Sequence, residues 1–167
     1  MRLFEEFGCR VEEPGFVFPE PHDTFGPNFT ADCYTNYGSC LEIHADQLTA
    51  RALGQIDLLK ANVADLFGTC DLIMSPTACF PAFEYGEFSV VVSGQSSYPD
   101  QYWNGTFTCP INTTGNPSAS VPADFSSAGL PIGLHIIGKK GDEETVIAAS
   151  SAFEHAKPWI HHRPRVS

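Results

Sequence analysis

The chain has 167 residues, with 20 acidic against 9 basic side chains and a formal charge of −11. That balance argues against a nucleic-acid partner, whose binding depends on Lys and Arg displacing counterions from phosphates. Hydrophobic content of 43% without repeats or low-complexity stretches marks a globular chain, and no apolar run approaches the roughly 20 residues of a spanning helix, so no membrane partner is expected.

Met1 to Glu13 reads as the end of a helix, with Leu3, Phe4 and Phe7 on one face and Gly8 as C-cap, followed by a short strand at Cys9 to Glu12. The acidic start carries no signal-peptide pattern. Pro14 to Pro27, dense in proline and phenylalanine, predicts a loop that packs its rings on the body of the domain. Ala31 to Ala45 is weakly helical. Leu48 to Phe67 is the clearest helix, with Leu53, Ile56, Leu59, Leu66 and Phe67 near one stripe and Gly68 as its stop. Leu72 to Ser75 predicts a strand, and Ser93 to Pro99 a polar loop.

From Phe107 onward the pattern is a turn-rich loop, a strand at Ser118 to Pro122, a polar break at Asp124 to Gly129 and a buried strand at Ile132 to Gly138. Together these predict a hairpin inside a larger sheet. Asn112, Gly115, Asn116 and Pro117 cluster before the first strand and supply the positive-φ and fixed-φ positions of a tight turn. Asn112 is assigned to bracing that turn through side-chain to backbone bonds, with Gly115 and Pro117 shaping it. A last helix follows, and then a proline-rich tail.

Few residues offer chemistry of their own. Gly94 to Ser97, GQSS, presents paired serines without the glycines that would bend the backbone around an oxyanion, so a solvated loop is the expectation. Lys60, Lys139, Lys140 and Lys157 read as surface charges, none placed beside a nucleophile. The cysteines at 9, 33, 40, 70, 79 and 109 form no C-x-x-C pair, and His22, His44, His155, His161 and His162 have no metal-ligand spacing. No metal and no cofactor is expected. Cys9, Cys70, Cys79 and Cys109 fall at or beside predicted strands as small buried hydrophobes with reduced thiols, which suits a cytoplasmic setting. The Asn-x-Thr triplets at Asn28, Asn104 and Asn112 are read as coincidence.

Three blocks, in order, resemble segments of the amidase signature family. Phe107 to Gly138 contains FTCPINTTGNP and GLPIGLHIIG, similar to the family's F-T-x-P-x-N-x-T-G-x-P turn and G-L-P-x-G-L-x-I-I-G strand. Asp71 to Ala82, DLIMSPTACFPA, resembles its D-L-L-x-x-P-T-x-x-x-P-A strand and loop, and Glu143 to Trp159 resembles a last helix ending in F-E-x-x-x-P-W. The resemblance implies an α/β fold: a partial amidase-signature domain with a mixed β-sheet flanked by α-helices, incomplete at the N-terminal side. Residues 1–167 are expected to form the C-terminal part of one domain, with a helix end and strand over 1–13, loop and helices over 14–70, sheet and turn over 71–138, the last helix over 142–156 and a tail over 157–167.

The activity implied is hydrolysis of carboxamide C–N bonds by a serine nucleophile, a second serine held by a cis peptide, and a lysine base. In the family the lysine and a G-G-S-S-G-G-type segment lie in the N-terminal half, so this chain is expected to start after them, to hold no catalytic residue and to be inactive alone. A catalytically silent remnant or interaction module is the alternative. The resemblance puts Pro76, Thr77, Trp103, Phe107 and Thr108 on the substrate side, with Trp103 and Phe107 either as apolar walls or as core. The partner would be a small-molecule amide, once an N-terminal half completes the domain. Two departures stand out: His44 to Ala50 passes almost directly into the second helix, where the family usually has a longer insertion, and Gly105 stands where tRNA-dependent amidotransferase members tend to carry an aspartate. The second points to a general amidase. A sheet lacking half its strands also predicts self-association through an uncovered edge.

Overall fold

The structure is a computed structural model that describes residues 2–13, 15, 50–85, 90–92, 95–97 and 106–162. The loop expected over Pro14 to Pro27, apart from Gly15, lies outside them. So do the helix expected over Ala31 to Ala45, the shortened passage from His44 up to Ala50, and Trp103, Asn104 and Gly105.

Helix α1 (Arg2–Glu6) buries Phe4, and the chain leaves it through Gly8 at φ 85. Gly8 N–H donates to the Glu5 carbonyl at 2.9 Å and Cys9 N–H to the Phe4 carbonyl at 3.0 Å, the paired bonds of a Schellman ending that only a left-handed residue allows cheaply. The strand expected at Cys9 to Glu12 is not formed: these residues have no ladder partner among the described residues, and Cys9 is exposed instead of buried. Helix α2 (Ala50–Leu66) matches the clearest helical pattern, and it buries Leu59 and Val63 while Leu58 faces solvent.

Strand β1 (Leu72–Pro76) belongs to a three-stranded sheet whose other members, β4 (Ser118–Phe125) and β5 (Pro131–Gly138), form the expected hairpin. The order is β1-β5-β4, with both pairings antiparallel, so the described part of the sheet is antiparallel throughout. β4 runs past its expected end into Asp124 and Phe125, through an irregularity in register between Pro122 and Asp124. A bulge there lets the strand continue although Pro122 donates no ladder bond. Gly129, at φ 77, closes the hairpin turn as its N–H donates to the Ser126 carbonyl at 2.8 Å.

The GQSS segment is corrected by the structure. Gln95, Ser96 and Ser97 form β3 (Gln95–Ser97), which pairs antiparallel with β2 (Val90–Val92), so these three residues are strand and not loop, while Gly94 lies outside the described residues. A run of three β-branched valines favours an extended partner over open solvent. Likewise the turn-rich stretch before the hairpin contains a short helix, α3 (Cys109–Thr114), started by Pro110 in its first turn and closed by Gly115.

Helix α4 (Glu143–Ala156) is capped by Asp142, whose carboxylate accepts from Thr145 N–H at 3.2 Å, and Glu143 and Glu144 complement the N-terminal dipole. It lies on one face of the sheet together with α1. Phe4, Val121, Ile136 and Phe153 make the core there, flanked by Leu72, Met74, Leu134 and Trp159. Phe4 and Phe153 stack with ring centroids 5.9 Å apart. Among the described residues no helix is long and apolar enough to cross a membrane.

Candidate functional site

Strand alternation sorts the sheet into two faces. In register, Ser75 opposes His135 and His135 opposes Ser120, while Ile73, Ile137 and Ser118 form the next row. All of these side chains lie on the face opposite the Phe4–Phe153 core. On this second face the row of Ser75, His135 and Ser120 is polar, the row of Ile73 and Ile137 is apolar apart from Ser118, and the polar row leads to the loop after β1.

Pro76 ends β1 and is exposed; Thr77 follows, with its N–H donating to the Gly133 carbonyl at 3.0 Å. Gly133 has no side chain, and that gap lets Thr77 reach across the central strand: its Oγ1 lies 2.7 Å from Ser120 Oγ on the far strand. A Cβ at position 133 would stand 2.6 Å from Thr77 Oγ1 and 2.9 Å from Ser120 Oγ. The bond and a side chain at 133 are mutually exclusive without a shift.

One row deeper, His135 is buried, 3% exposed, and its Nδ1 lies 3.4 Å from Ser75 Oγ. Burial alone lowers its pKa from the ordinary imidazole value, so the ring is neutral at pH 7. A serine beside a histidine is the start of a nucleophile and base pair, but 3.4 Å exceeds the ~2.6–3.2 Å reach of proton transfer. No carboxylate contributes to the shift on this ring. The arrangement is a part-buried hydrogen-bonded pair.

The other candidate residues sit at the far end of β5. Gly115, at φ 72, caps α3 with its N–H on the Ile111 carbonyl at 3.0 Å, and the Pro117 carbonyl accepts from Gly138 N–H at 2.9 Å. Asn116 Nδ2 donates to the Gly138 carbonyl at 2.9 Å, so the side-chain tie to the strand comes from Asn116, while Asn112 is exposed on α3. Gly138 lies five residue steps beyond Gly133 along β5, about 17 Å at ~3.4 Å per residue. The structure thus brings Thr77 to Ser120 and Gly133, and places Gly115 and Pro117 at the opposite end of the strand. Phe107 and Thr108 are half-buried just before α3, and the Thr108 carbonyl accepts from Ile111 and Asn112 N–H at 3.1 and 3.0 Å. Trp103 lies outside the described residues.

Ser120, Gly133 and His135 were not singled out from the sequence. The signal there was weak: small or polar residues alternating with Ala and Val in SASV, and a histidine inside the apolar run GLHIIG.

The lysines read as surface charges are exposed or half-buried, and two are paired. Lys139 reaches Asp71 at 3.1 Å and Lys157 reaches Asp124 at 2.9 Å, with the second pair holding the Asp124 carboxyl below its usual range. Cys9, Cys70 and Cys109 carry free thiols; burial raises the pKa of Cys70 and Cys109, which leaves them protonated. Among the described residues no group of three or more His, Cys, Asp or Glu could hold a metal ion. A cleft of about 270 Å³ between the end of α2 and the β5–α4 turn is lined by Lys60, Phe67, Thr114, Asn116, Lys139 and Lys140. It lies at the Gly138 end of the sheet, away from Thr77.

The family model described as Amidase matches residues 24–147, and the chain belongs to that family. It is 43% identical over 110 residues to a glutamyl-tRNA(Gln) amidotransferase subunit of Geobacter metallireducens, a match covering 65% of this chain and 20% of that relative. The chain therefore spans about a fifth of the length of such curated relatives. Among solved structures, a bacterial aryl acylamidase of the amidase signature family superposes with a TM-score of 0.65 at 26% identity, covering 95% of this chain and 39% of that one. The corresponding glutamyl-tRNA(Gln) amidotransferase subunit of Thermotoga maritima superposes with a TM-score of 0.66 at 24% identity, covering 95% and 37%, and so shares the fold.

Proposed function

We propose that residues 1–167 are the C-terminal part of a single amidase-signature domain that hydrolyses carboxamide C–N bonds through a serine, cis-serine and lysine constellation carried outside these residues. On this reading the chain is inactive alone, acts in the cytoplasm, and contributes Pro76, Thr77, Trp103, Phe107 and Thr108 to the substrate side. The observation that carries it is the junction of the family-like blocks: DLIMSPT, the hairpin and the last helix assemble into one sheet-and-helix unit, with Thr77 tied to Gly133 and Ser120.

The substrate class has two readings. Gly105 removes the charge that would grip the amino group of glutamine and favours a general amidase, whereas the similarity to glutamyl-tRNA(Gln) amidotransferase favours glutamine as the amide donor. Ammonia or amine release from aliphatic amides, aryl amides and glutamine separates them. The assay is run on the 167-residue chain and on the chain extended by any coding sequence that precedes it in frame. The expected result is release from the extended protein only, with aliphatic or aryl amides preferred. Release by the short chain that disappears in a Ser96→Ala, Ser97→Ala double variant would overturn the proposal of inactivity.

Self-association belongs to the same reading. β1 and β4 are the edges of the described sheet, and Leu58, Ile147 and Ile160 expose 57–67% of their surface. Sedimentation should show oligomers; a sharp monomer boundary with cooperative unfolding would count against it.

A further inference from the structure

We propose that Ser120 and Gly133 are positioning residues: they set where the loop leaving β1 stands, and with it the amide-binding wall assigned above to Pro76 and Thr77. The inference rests on that reading of the site. Two bonds hold Thr77, and they do different work. Its N–H on the Gly133 carbonyl, at 3.0 Å, fixes the backbone on the central strand. Its Oγ1 on Ser120 Oγ, at 2.7 Å, fixes the side chain against the far strand. Threonine is stiff at χ1, so anchoring the hydroxyl leaves its methyl one place to go. The placement of Thr77 in that wall is then decided by Ser120 on the far strand, itself exposed on the same face.

Gly133 makes this arrangement possible. Thr77 follows one outer strand and Ser120 sits on the other, with the central strand between them, and side chains in neighbouring rows of a sheet reach their direct and diagonal partners, not past a filled position. A side chain at 133 would occupy the crossing, since even a Cβ falls 2.6 Å from Thr77 Oγ1. Ser120 also stands in register with His135, whose ring is bonded to Ser75 on β1. The hydroxyl bond thus ties the loop after β1 to β4, beside the Ser75–His135 bond that ties β1 to β5, and a displacement of Ser120 is transmitted to Thr77.

The test uses two readouts. In the 167-residue chain, amide hydrogen exchange is followed by NMR at Thr77, with Ile136 and Ile137 as reporters of the sheet as a whole. Ser120→Ala should speed exchange at Thr77 about fivefold, the scale of one lost hydrogen bond, and leave Ile136 and Ile137 unchanged; Ser120→Thr, which keeps the hydroxyl, should restore the original rate. Unchanged exchange at Thr77, or equal acceleration everywhere, overturns the brace. In the extended, amide-hydrolysing protein, Ser120→Ala should raise KM about tenfold with kcat within about twofold, and Ser120→Thr should reverse it, the pattern of lost ground-state positioning. A faster Thr77 amide with KM unmoved overturns the positioning role and leaves the amidase reading intact. No hydrolysis by the unsubstituted extended protein sinks the amidase reading, and the positioning role with it. Gly133→Ala should reproduce the KM effect if it folds; Ser120→Ala decides the matter if it does not.

Discussion

The two faces of the β1-β5-β4 sheet are built from different materials. One face presents Leu72, Met74, Leu134, Ile136 and Val121 to α1 and α4, and the other mixes Ile73 and Ile137 with Ser75, Thr77, Ser118, Ser120 and His135. Apolar burial is non-directional and roughly proportional to area, so the first face supplies stability without dictating fine geometry. Among the polar groups of the second face only His135 is fully buried, so the cost of an unpaired polar group weighs on it and its half-buried partner Ser75, while Ser118 and Ser120 are exposed. The difference teaches where to look for function in this chain: on the face where hydrogen bonds from Ser75, Thr77, Ser120 and His135 fix positions.

The comparison can be broken first on the apolar face. Phe153→Ala removes a ring stacked on Phe4 and should cost about 3–5 kcal/mol in urea unfolding, enough to unfold a marginal chain. A loss below about 1 kcal/mol would mean that α4 is not the main cover of that face. Gly138→Ala comes next: its Cβ would stand 2.5 Å from a Val146 methyl carbon and 3.1 Å from the Asp142 carbonyl, so overpacking should cost about 1–3 kcal/mol. Crystallography of the variant would show α4 displaced outward.

The polar face is sharpened by pH. His135 has a lowered pKa in the folded chain, so the unfolded chain takes up its proton first. The contribution to stability is complete above the unfolded value of 6.5 and is lost as pH falls through that value toward the lower folded one. His135→Gln should flatten this part of the stability profile; an identical profile in the variant would place the titration elsewhere. The smallest effect belongs to the exposed Lys157–Asp124 pair. Asp124 has a lowered pKa through its bond to Lys157, so any contribution is present above the ordinary carboxylate range and disappears as pH falls below it. Lys157→Ala should leave the melting temperature unchanged within error at about 1 M salt, where surface pairs are screened.

Legibility followed the length scale of the cause. The Gly8 stop, helix α2, β1, the hairpin and helix α4 were readable because each rests on local periodicity or a cap within a few residues. The failures were also physical. Cys9 to Glu12 alternates like a strand but meets no ladder partner among the described residues, while Gln95–Ser97 of the GQSS segment pairs with Val90–Val92. α3 reads as part of a turn because CPINTT has low helix propensity, and Pro110 at its start and Gly115 at its end carry the helix that forms. At the candidate site Thr77 stands out by its motif, but its partners were invisible: Ser120 lies 43 positions away along the chain.

The amino-acid sequence by itself determined the family and the order of the principal elements, β1, the hairpin and the last helix, because motifs, caps and periodicity act over short stretches of chain. Only the tertiary structure decided which polar residues meet. Register across three strands brings Ser75, His135 and Ser120 into one row, and the empty side of Gly133 lets Thr77 cross to Ser120. Those contacts depend on strand pairing between distant segments, and a one-residue slip in register would turn every one of these side chains to the opposite face.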